Sequence, residues 1–73
     1  MEQISETDQL IALNRHAQGD WGMVSEEEFL ANENGLLEGS YLMSVYLSER
    51  GAVFCVITDT ERTKTTLSLL EEC

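Results

Sequence analysis

The sequence predicts an α+β domain, in which two N-terminal helices pack on one face of a three-stranded antiparallel meander (ααβββ). Apolar residues recur at helical spacing up to residue 38, and from residue 40 onward they alternate with polar residues at the spacing of a strand. Glycine and charged clusters separate the segments. With 73 residues, 42% of them apolar, the chain is expected to be one small folded domain, residues 1–73.

The first helix is predicted near residues 7–18. Its apolar residues at helical spacing are Leu10, Ile11, Leu13 and Ala17. The preceding segment, residues 1–8, is expected to be frayed or to cap this helix through Ser5 or Thr7. Gly19 is expected to end it, and the turn Gly19-Asp20-Trp21-Gly22 follows.

The second helix is predicted at residues 26–38, and its start is the clearest local signal in the chain. Ser25 and Glu28 have the spacing of a capping box. Negative charge in the first turn is favourable to the helix dipole. Gly39 is expected to end the helix. Its buried stripe is predicted to be Phe29, Leu30, Leu36 and Leu37.

Three strands are predicted after residue 40. Residues 41–48 alternate in polarity, residues 52–58 are apolar and β-branched enough to be the central strand, and residues 63–70 alternate again. Short loops at residues 49–51 and 59–62 are expected to form the two hairpin turns.

Charge indicates what kind of partner the chain could bind. The sequence has 14 acidic and 4 basic residues, a net charge of −10. Direct binding to nucleic acid or to an anionic membrane surface is therefore not expected, since both depend on Lys and Arg. A basic protein surface would be attracted instead.

An acidic tract lies between Arg15 and Arg50, where no Lys or Arg occurs. One interpretation is a one-signed face that imitates the phosphate spacing of a nucleic acid; the other is a face that only confers solubility. The turn at residues 59–64 could be a recognition loop or an ordinary charged hairpin. The partner-binding candidates from both regions are Asp20, Glu26, Glu27, Glu33, Glu38, Glu49 and Arg62.

Catalytic and metal chemistry have weaker support in the sequence. His16 and Asp20 could form a general base with its orienting carboxylate, but no nucleophile adjoins them and the chain has no second histidine. We favour a structural role for them, with Trp21 filling the core. No zinc or calcium spacing is present, so no metal or other cofactor and no catalytic residue is predicted.

Two cysteines, Cys55 and Cys73, are too few for the disulfide framework of a small secreted domain. The N-terminus lacks the pattern of a signal peptide, and the longest apolar run, residues 52–57, is too short to cross a membrane. The expected compartment is therefore the cytoplasm.

The motif His16-x-x-Gly19-Asp20-Trp21-Gly22 is followed by several further residues that together resemble a family of small bacterial proteins found on plasmids, in phages and in chromosomes. The further residues are Asn32, Leu37, Gly39, Leu42, Val56, Ile57, Thr58, Arg62, Thr65, Thr66, Leu69 and Leu70. The resemblance covers residues 10–72. The proline and terminal tyrosine usual in that family near residues 71–73 are missing here. The resemblance implies a mobile-element or accessory protein and supplies no catalytic residues.

These observations lead to the hypothesis of a non-enzymatic, acidic protein-binding module. Its concrete form is an inhibitor of a nucleic-acid-handling defence complex, such as a restriction or CRISPR system, that occupies a cationic groove as a DNA mimic. Two other classes stay open. One is a small enzyme or accessory domain that uses His16 and Asp20, and the other is a structural subunit that forms a homodimer through its sheet.

Overall fold

The computed structural model describes residues 3–73 and has two helices followed by a three-stranded sheet. The elements are α1 (Glu6–Ala17), α2 (Glu26–Glu38), β1 (Leu42–Leu47), β2 (Val53–Thr58), β3 (Thr65–Leu69) and a short 3-10 helix (Leu70–Glu72). The strands form an antiparallel meander in the order β1-β2-β3. The predicted ααβββ arrangement is confirmed, with boundaries within two residues of those expected. Residues 1–2 of the predicted N-terminal segment lie outside the described residues.

Both helices begin with a capping box. Ser5 accepts a hydrogen bond from the Asp8 backbone N–H, and Ser25 accepts one from Glu28; each acidic side chain accepts in return from the backbone N–H of its serine. These bonds satisfy backbone donors that a helix start leaves unpaired. Gly39 ends α2 in the left-handed conformation (φ 81°), as predicted.

The hydrophobic core is small and lies between α1 and the sheet. Phe54 and Val56 of β2 are fully or almost fully buried, together with Tyr46 of β1, Ala12 of α1 and Ile4 before α1. Leu67 and Leu69 of β3 pack against this cluster and are half-buried. β2 has the most apolar and β-branched sequence of the three strands, which suits the central position, where a neighbouring strand shields it on each side.

The prediction of a buried apolar stripe on α2 was wrong. Phe29, Leu30, Leu36 and Leu37 are all exposed, and 88% of Leu37 is accessible. The residues that α2 buries are Asn32 and Gly35. The apolar residues Leu10, Ile11 and Leu13 of α1 are exposed as well. Both helices therefore direct small or polar side chains toward the sheet and large apolar ones toward solvent.

The reason lies at the outer edge of β1, where Asn32 takes the place of a neighbouring strand. Its side-chain amide donates to the Met43 carbonyl (2.7 Å), and its Oδ1 accepts from the Met43 N–H (2.9 Å). Gly35 then lies against the start of β1: a Cβ added there would lie 3.2 Å from the Leu42 side chain and from the Tyr41 carbonyl oxygen. The rotation of α2 is therefore determined by these two positions and not by its leucines.

The turn that follows α1 covers the next part of the same edge. The Val45 N–H donates to the Trp21 carbonyl (3.0 Å), and the Met23 N–H donates to the Val45 carbonyl (2.7 Å), with Gly22 forming a bridge between them. Gly22 is required there because a Cβ would lie 2.2 Å from the Val45 carbonyl oxygen, at a φ of 76° that favours glycine. An edge strand that would otherwise expose its backbone is thereby closed.

The opposite face of the sheet carries a disulfide that the sequence analysis did not predict. Cys55 of β2 is fully buried and is bonded to Cys73, 18 residues later in the chain. Phe54 and Val56 face the helices, and side chains alternate along a strand, so Cys55 points to the other face of the sheet. The bond holds the 3-10 helix against this second face.

We expect Asn32→Ala to destabilise the fold by about 2–3 kcal/mol, because it removes two hydrogen bonds and leaves the Met43 N–H and C=O without partners. The matched control is Asn34→Ala on the exposed side of the same helix, which should change the free energy of unfolding by less than about 0.5 kcal/mol. Urea denaturation of both variants measures the difference, and equal stabilities would show that the Asn32 bonds do not hold α2.

Candidate functional site

A groove opens between the two helices. α1 packs mainly on β2 and α2 mainly on β1, so the helices diverge above the end of the sheet where β1 begins. The resulting cavity has a volume of about 380 Å³. Its lining is mostly apolar and consists of Leu13, His16, Ala17, Gln18, Gly19, Trp21, Leu36, Leu42, Thr58 and Thr65. We call this the inter-helix groove.

The floor of the inter-helix groove is a chain of polar side chains. His16 lies between two hydroxyl groups, with Nδ1 hydrogen-bonded to Ser44 and Nε2 to Thr58 (2.8 Å). The Thr58 hydroxyl is in turn bonded to that of Thr65 (3.0 Å). Burial lowers the pKa of His16, and its hydrogen bonds are with hydroxyl groups and not carboxylates, so the imidazole is neutral at pH 7. One ring nitrogen donates and the other accepts.

Trp21 forms a wall of the inter-helix groove and is buried, as predicted for a structural residue. Its indole packs edge-on against His16, with ring centroids 5.5 Å apart. Its Nε1–H donates to the carboxylate of Glu33 (3.1 Å). Glu33 thus has a partner in the fold, which the sequence did not indicate, and it lies at the rim of the groove.

Asp20 is paired with Arg15 and not with His16. The guanidinium donates two hydrogen bonds to the carboxylate, of 2.8 and 3.1 Å, and these are the main reason that the pKa of Asp20 is lowered. The same guanidinium lies 4.7 Å from the centre of the Tyr46 ring. The two members of the hypothetical general-base pair therefore have separate partners.

Apart from the half-buried Glu28, the acidic residues of α2 are exposed and lie among apolar residues. Glu26 and Glu33, seven positions apart, share a row with Leu30 and Leu37, since residues at i, i+4, i+7 and i+11 lie on one face of a helix. We call Glu26, Leu30, Glu33 and Leu37 the α2 stripe; all four are exposed. Asn32 and Gly35 are on the opposite, buried side.

The remaining candidate residues are distributed over the molecule. Glu27 and Glu38 are exposed on α2, beside the stripe. Glu49 lies in the β1–β2 hairpin, where its N–H donates to Asp8 (3.4 Å), at the far end of the sheet from the inter-helix groove. The seven predicted residues therefore do not form one continuous surface.

Arg62 lies in the β2–β3 hairpin and is held against the end of α2. Its guanidinium donates to the backbone carbonyls of Gly35 (2.9 Å), Ser40 (2.6 Å) and Asp59 (3.0 Å). A cation at this end of a helix is favourable to the helix dipole. Arg62 also has a positive φ of 61°, which a non-glycine residue adopts only when its surroundings hold it there.

The two hydroxyl groups bonded to His16 differ in their access to the inter-helix groove. Ser44, bonded to Nδ1, has no exposed surface, whereas Thr58, bonded to Nε2, lines the groove. Among residues 3–73, no group of three or more His, Cys, Asp or Glu side chains is arranged to hold a metal ion. An apolar cavity with a few polar groups on its floor suits a side chain or a small apolar ligand.

Sequence reasoning missed Ser44, Thr58, Leu36 and Leu42 as site residues. Strand alternation places Ser44 and Thr58 on one face of the sheet, which the sequence could indicate. That His16 meets both of them depends on how α1 lies across the sheet, and local patterns do not carry this information.

No family model matches the chain, and the comparisons found no similar curated protein and no similar solved structure. The resemblance to small bacterial mobile-element proteins therefore stays a prediction. Within the part of the chain that the structure describes, no helix is long and apolar enough to span a membrane.

The buried, neutral His16 predicts a pH dependence of stability. Because its pKa is lower in the folded state than in the unfolded chain, the unfolded state takes up the proton first as the pH falls below about 6.5. The free energy of unfolding should be highest near pH 8 and should decrease toward pH 5.5, by up to about 1.4 kcal/mol per pH unit.

The control for this prediction is His16→Gln, which retains a donor and an acceptor but does not titrate. Its free energy of unfolding, measured in urea between pH 8 and pH 5.5, should be nearly constant. Carboxylates with lowered pKa values, such as Asp20 and Asp59, titrate below this range. A wild-type curve that is equally flat would show that burial of His16 does not affect its protonation.

Proposed function

We propose that this protein is a non-enzymatic binding module that docks onto a basic surface of a partner protein. The α2 stripe and the inter-helix groove would form the contact. The observation that carries the proposal is the exposure of Leu30 and Leu37, which alternate with Glu26 and Glu33 along the α2 stripe. Large apolar side chains that cluster at a surface are typical of interaction sites.

These leucines contribute little to the core, because both are exposed. α2 is held to the sheet by the bonds of Asn32, the close approach of Gly35 and the Arg62 contacts with its last turn. Among residues 3–73, Leu37 is the most exposed of the large apolar residues. Side chains that contribute little to the core yet stay apolar support a role in partner recognition.

The net charge supports a basic partner. The chain carries a net charge of −10, and no Lys or Arg occurs between Arg15 and Arg50. Within this region, Glu26 and Glu33 alternate with the exposed leucines Leu30 and Leu37 along the stripe. A partner with apolar side chains to cover Leu30 and Leu37, and with Lys or Arg around them, would match both features.

The concrete form of the proposal, motivated also by the family resemblance, is an inhibitor of a nucleic-acid-handling defence complex that acts as a DNA mimic. Such a partner has a cationic groove for phosphates, which would attract the acidic face of α2. Competition distinguishes this form from the general one: a mimic and a DNA duplex exclude each other from the partner, whereas a module that binds elsewhere leaves DNA binding intact.

The proposed compartment is the cytoplasm. Disulfides are rare there, so the cysteines would be reduced in that compartment and Cys55 would lose its bond to Cys73. Thiol labelling of the protein in its own cells decides the matter, since free thiols support the cytoplasm and a retained disulfide indicates an oxidising compartment.

Substitution of Leu30 and Leu37 by serine is the direct test. Partners are first identified by cross-linking and mass spectrometry in the source organism, and the affinity of the purified partner is then measured. We expect Leu30→Ser with Leu37→Ser to weaken binding at least tenfold and to leave unfolding unchanged within about 1 kcal/mol, because both residues are exposed. The control is Leu47→Ser, an exposed leucine on β1. Equal affinities of the two variants would overturn the proposal.

Salt provides a second test of the same contact. We expect the affinity to decrease as ionic strength increases, because screening weakens the attraction between a −10 chain and a basic surface. Glu26→Gln should reduce this salt dependence, whereas Glu61→Gln in the β2–β3 hairpin should not. A complex that is insensitive to salt and to both substitutions would leave no electrostatic contribution.

A further inference from the structure

The two edges of the sheet differ. At the β1 edge, Met43 and Val45 bond outward to Asn32, Trp21 and Met23. In antiparallel pairs, outward and inward hydrogen bonding alternate along each strand. The register then directs the N–H and C=O groups of Thr65, Leu67 and Leu69 away from β2. Within residues 3–73 no strand or backbone group pairs with this side of β3, and the Leu69 carbonyl oxygen has the Cys73 sulfur 3.4 Å away.

We propose that β3 pairs with the β3 strand of a second copy, so that two molecules form one continuous six-stranded sheet. One antiparallel register pairs all five residues of β3. It places Leu67 opposite Leu67 of the second copy, and Thr65 opposite Leu69, about a two-fold axis. Every outward N–H and C=O group of the strand then finds a partner, which an exposed edge lacks.

The charges along β3 match this antiparallel arrangement. The strand itself, residues 65–69, is uncharged. Lys64 immediately precedes it, in a hairpin with two acidic and two basic residues, whereas Glu71 and Glu72 follow it. Antiparallel pairing brings Lys64 of each copy to the acidic end of the other, whereas parallel pairing would place like charges together.

The apolar row of α1 gives an independent argument. Leu13 and Ala17 line a cavity with Thr65 of β3, while Ile11 and Arg15, on another side of the helix, line one with Tyr46 of β1. The row that contains Leu13 therefore lies on the side of α1 away from Tyr46, where the inter-helix groove reaches Thr65 of β3. Leu10, one turn earlier on this row, is 68% exposed.

In the proposed dimer the two α1 helices lie on the same side of the continuous sheet, on either side of the two-fold axis. Their Leu10 and Leu13 side chains would then be covered together with Leu67, adding apolar burial to the strand pairing. The C-terminal 3-10 helix does not obstruct this edge, because it packs against β2 and is tied to Cys55 on the other face.

The test compares Thr65→Pro with Thr65→Val. Both variants lose the hydroxyl bond to Thr58, and both keep the hydrogen-bond ladder to β2. Only proline also removes the backbone N–H that points away from β2. Sedimentation equilibrium should show wild type and Thr65→Val associating with increasing concentration from 8.2 kDa toward twice that mass. The dissociation constant of Thr65→Pro should be at least tenfold higher.

Leu10→Ser changes the α1 helix and leaves the strand intact, and it should also raise the dissociation constant of the dimer. The control, Leu47→Ser, should not. Because each copy carries −10, added salt should strengthen this dimer, the opposite of its effect on a basic partner complex. A wild type that is monomeric up to millimolar concentration overturns the proposal, as does a dimer unaffected by Thr65→Pro and Leu10→Ser. These measurements use the protein without a partner, so neither result tests binding through Leu30 and Leu37 of α2.

Discussion

The closure of the outer β1 edge is the interaction on which the rest of this structure depends. Asn32 bonds to both backbone groups of Met43, and the turn after α1 bonds to both groups of Val45. These contacts come from α2 and from the turn after α1, and they attach both segments to β1. They determine where α2 lies, which side it turns to the sheet, and how Trp21 enters the core.

This arrangement leaves large apolar side chains outside. A helix that meets the sheet through Asn32 and Gly35 contributes little apolar burial, and α1 contributes mainly Ala12 and a hydrogen-bonded His16. The core of so small a chain is correspondingly thin. The exposed leucines of the α2 stripe and of α1 lie instead beside the open features of the fold, the inter-helix groove and the free edge of β3. The proposed recognition surfaces and the structural core are thus drawn from different residues.

Local patterns predicted the elements and their order. Three such signals are the Ser25–Glu28 capping box, the glycine after α2 and the change of hydrophobic period at residue 40. Each depends only on residues close to it in the chain, so the sequence reveals it. The rotation of α2 could not be predicted, because its leucines have helical spacing whichever way they face, and a single asparagine decides the outcome. The meeting of His16 with Ser44 and Thr58 and the Cys55–Cys73 bond likewise depend on contacts between distant segments.

Amide hydrogen exchange measured residue by residue tests the central claim most directly, because it compares the closed and the open edge in one experiment. At low protein concentration, the Met43 and Val45 amides should be protected nearly as well as the central strand, since their bonds to Asn32 and Trp21 are broken only when the edge opens. The Thr65 and Leu67 amides should exchange rapidly there and become protected as concentration rises. Rapid exchange at Met43 and Val45, or concentration-independent protection of Thr65 and Leu67, would contradict the account.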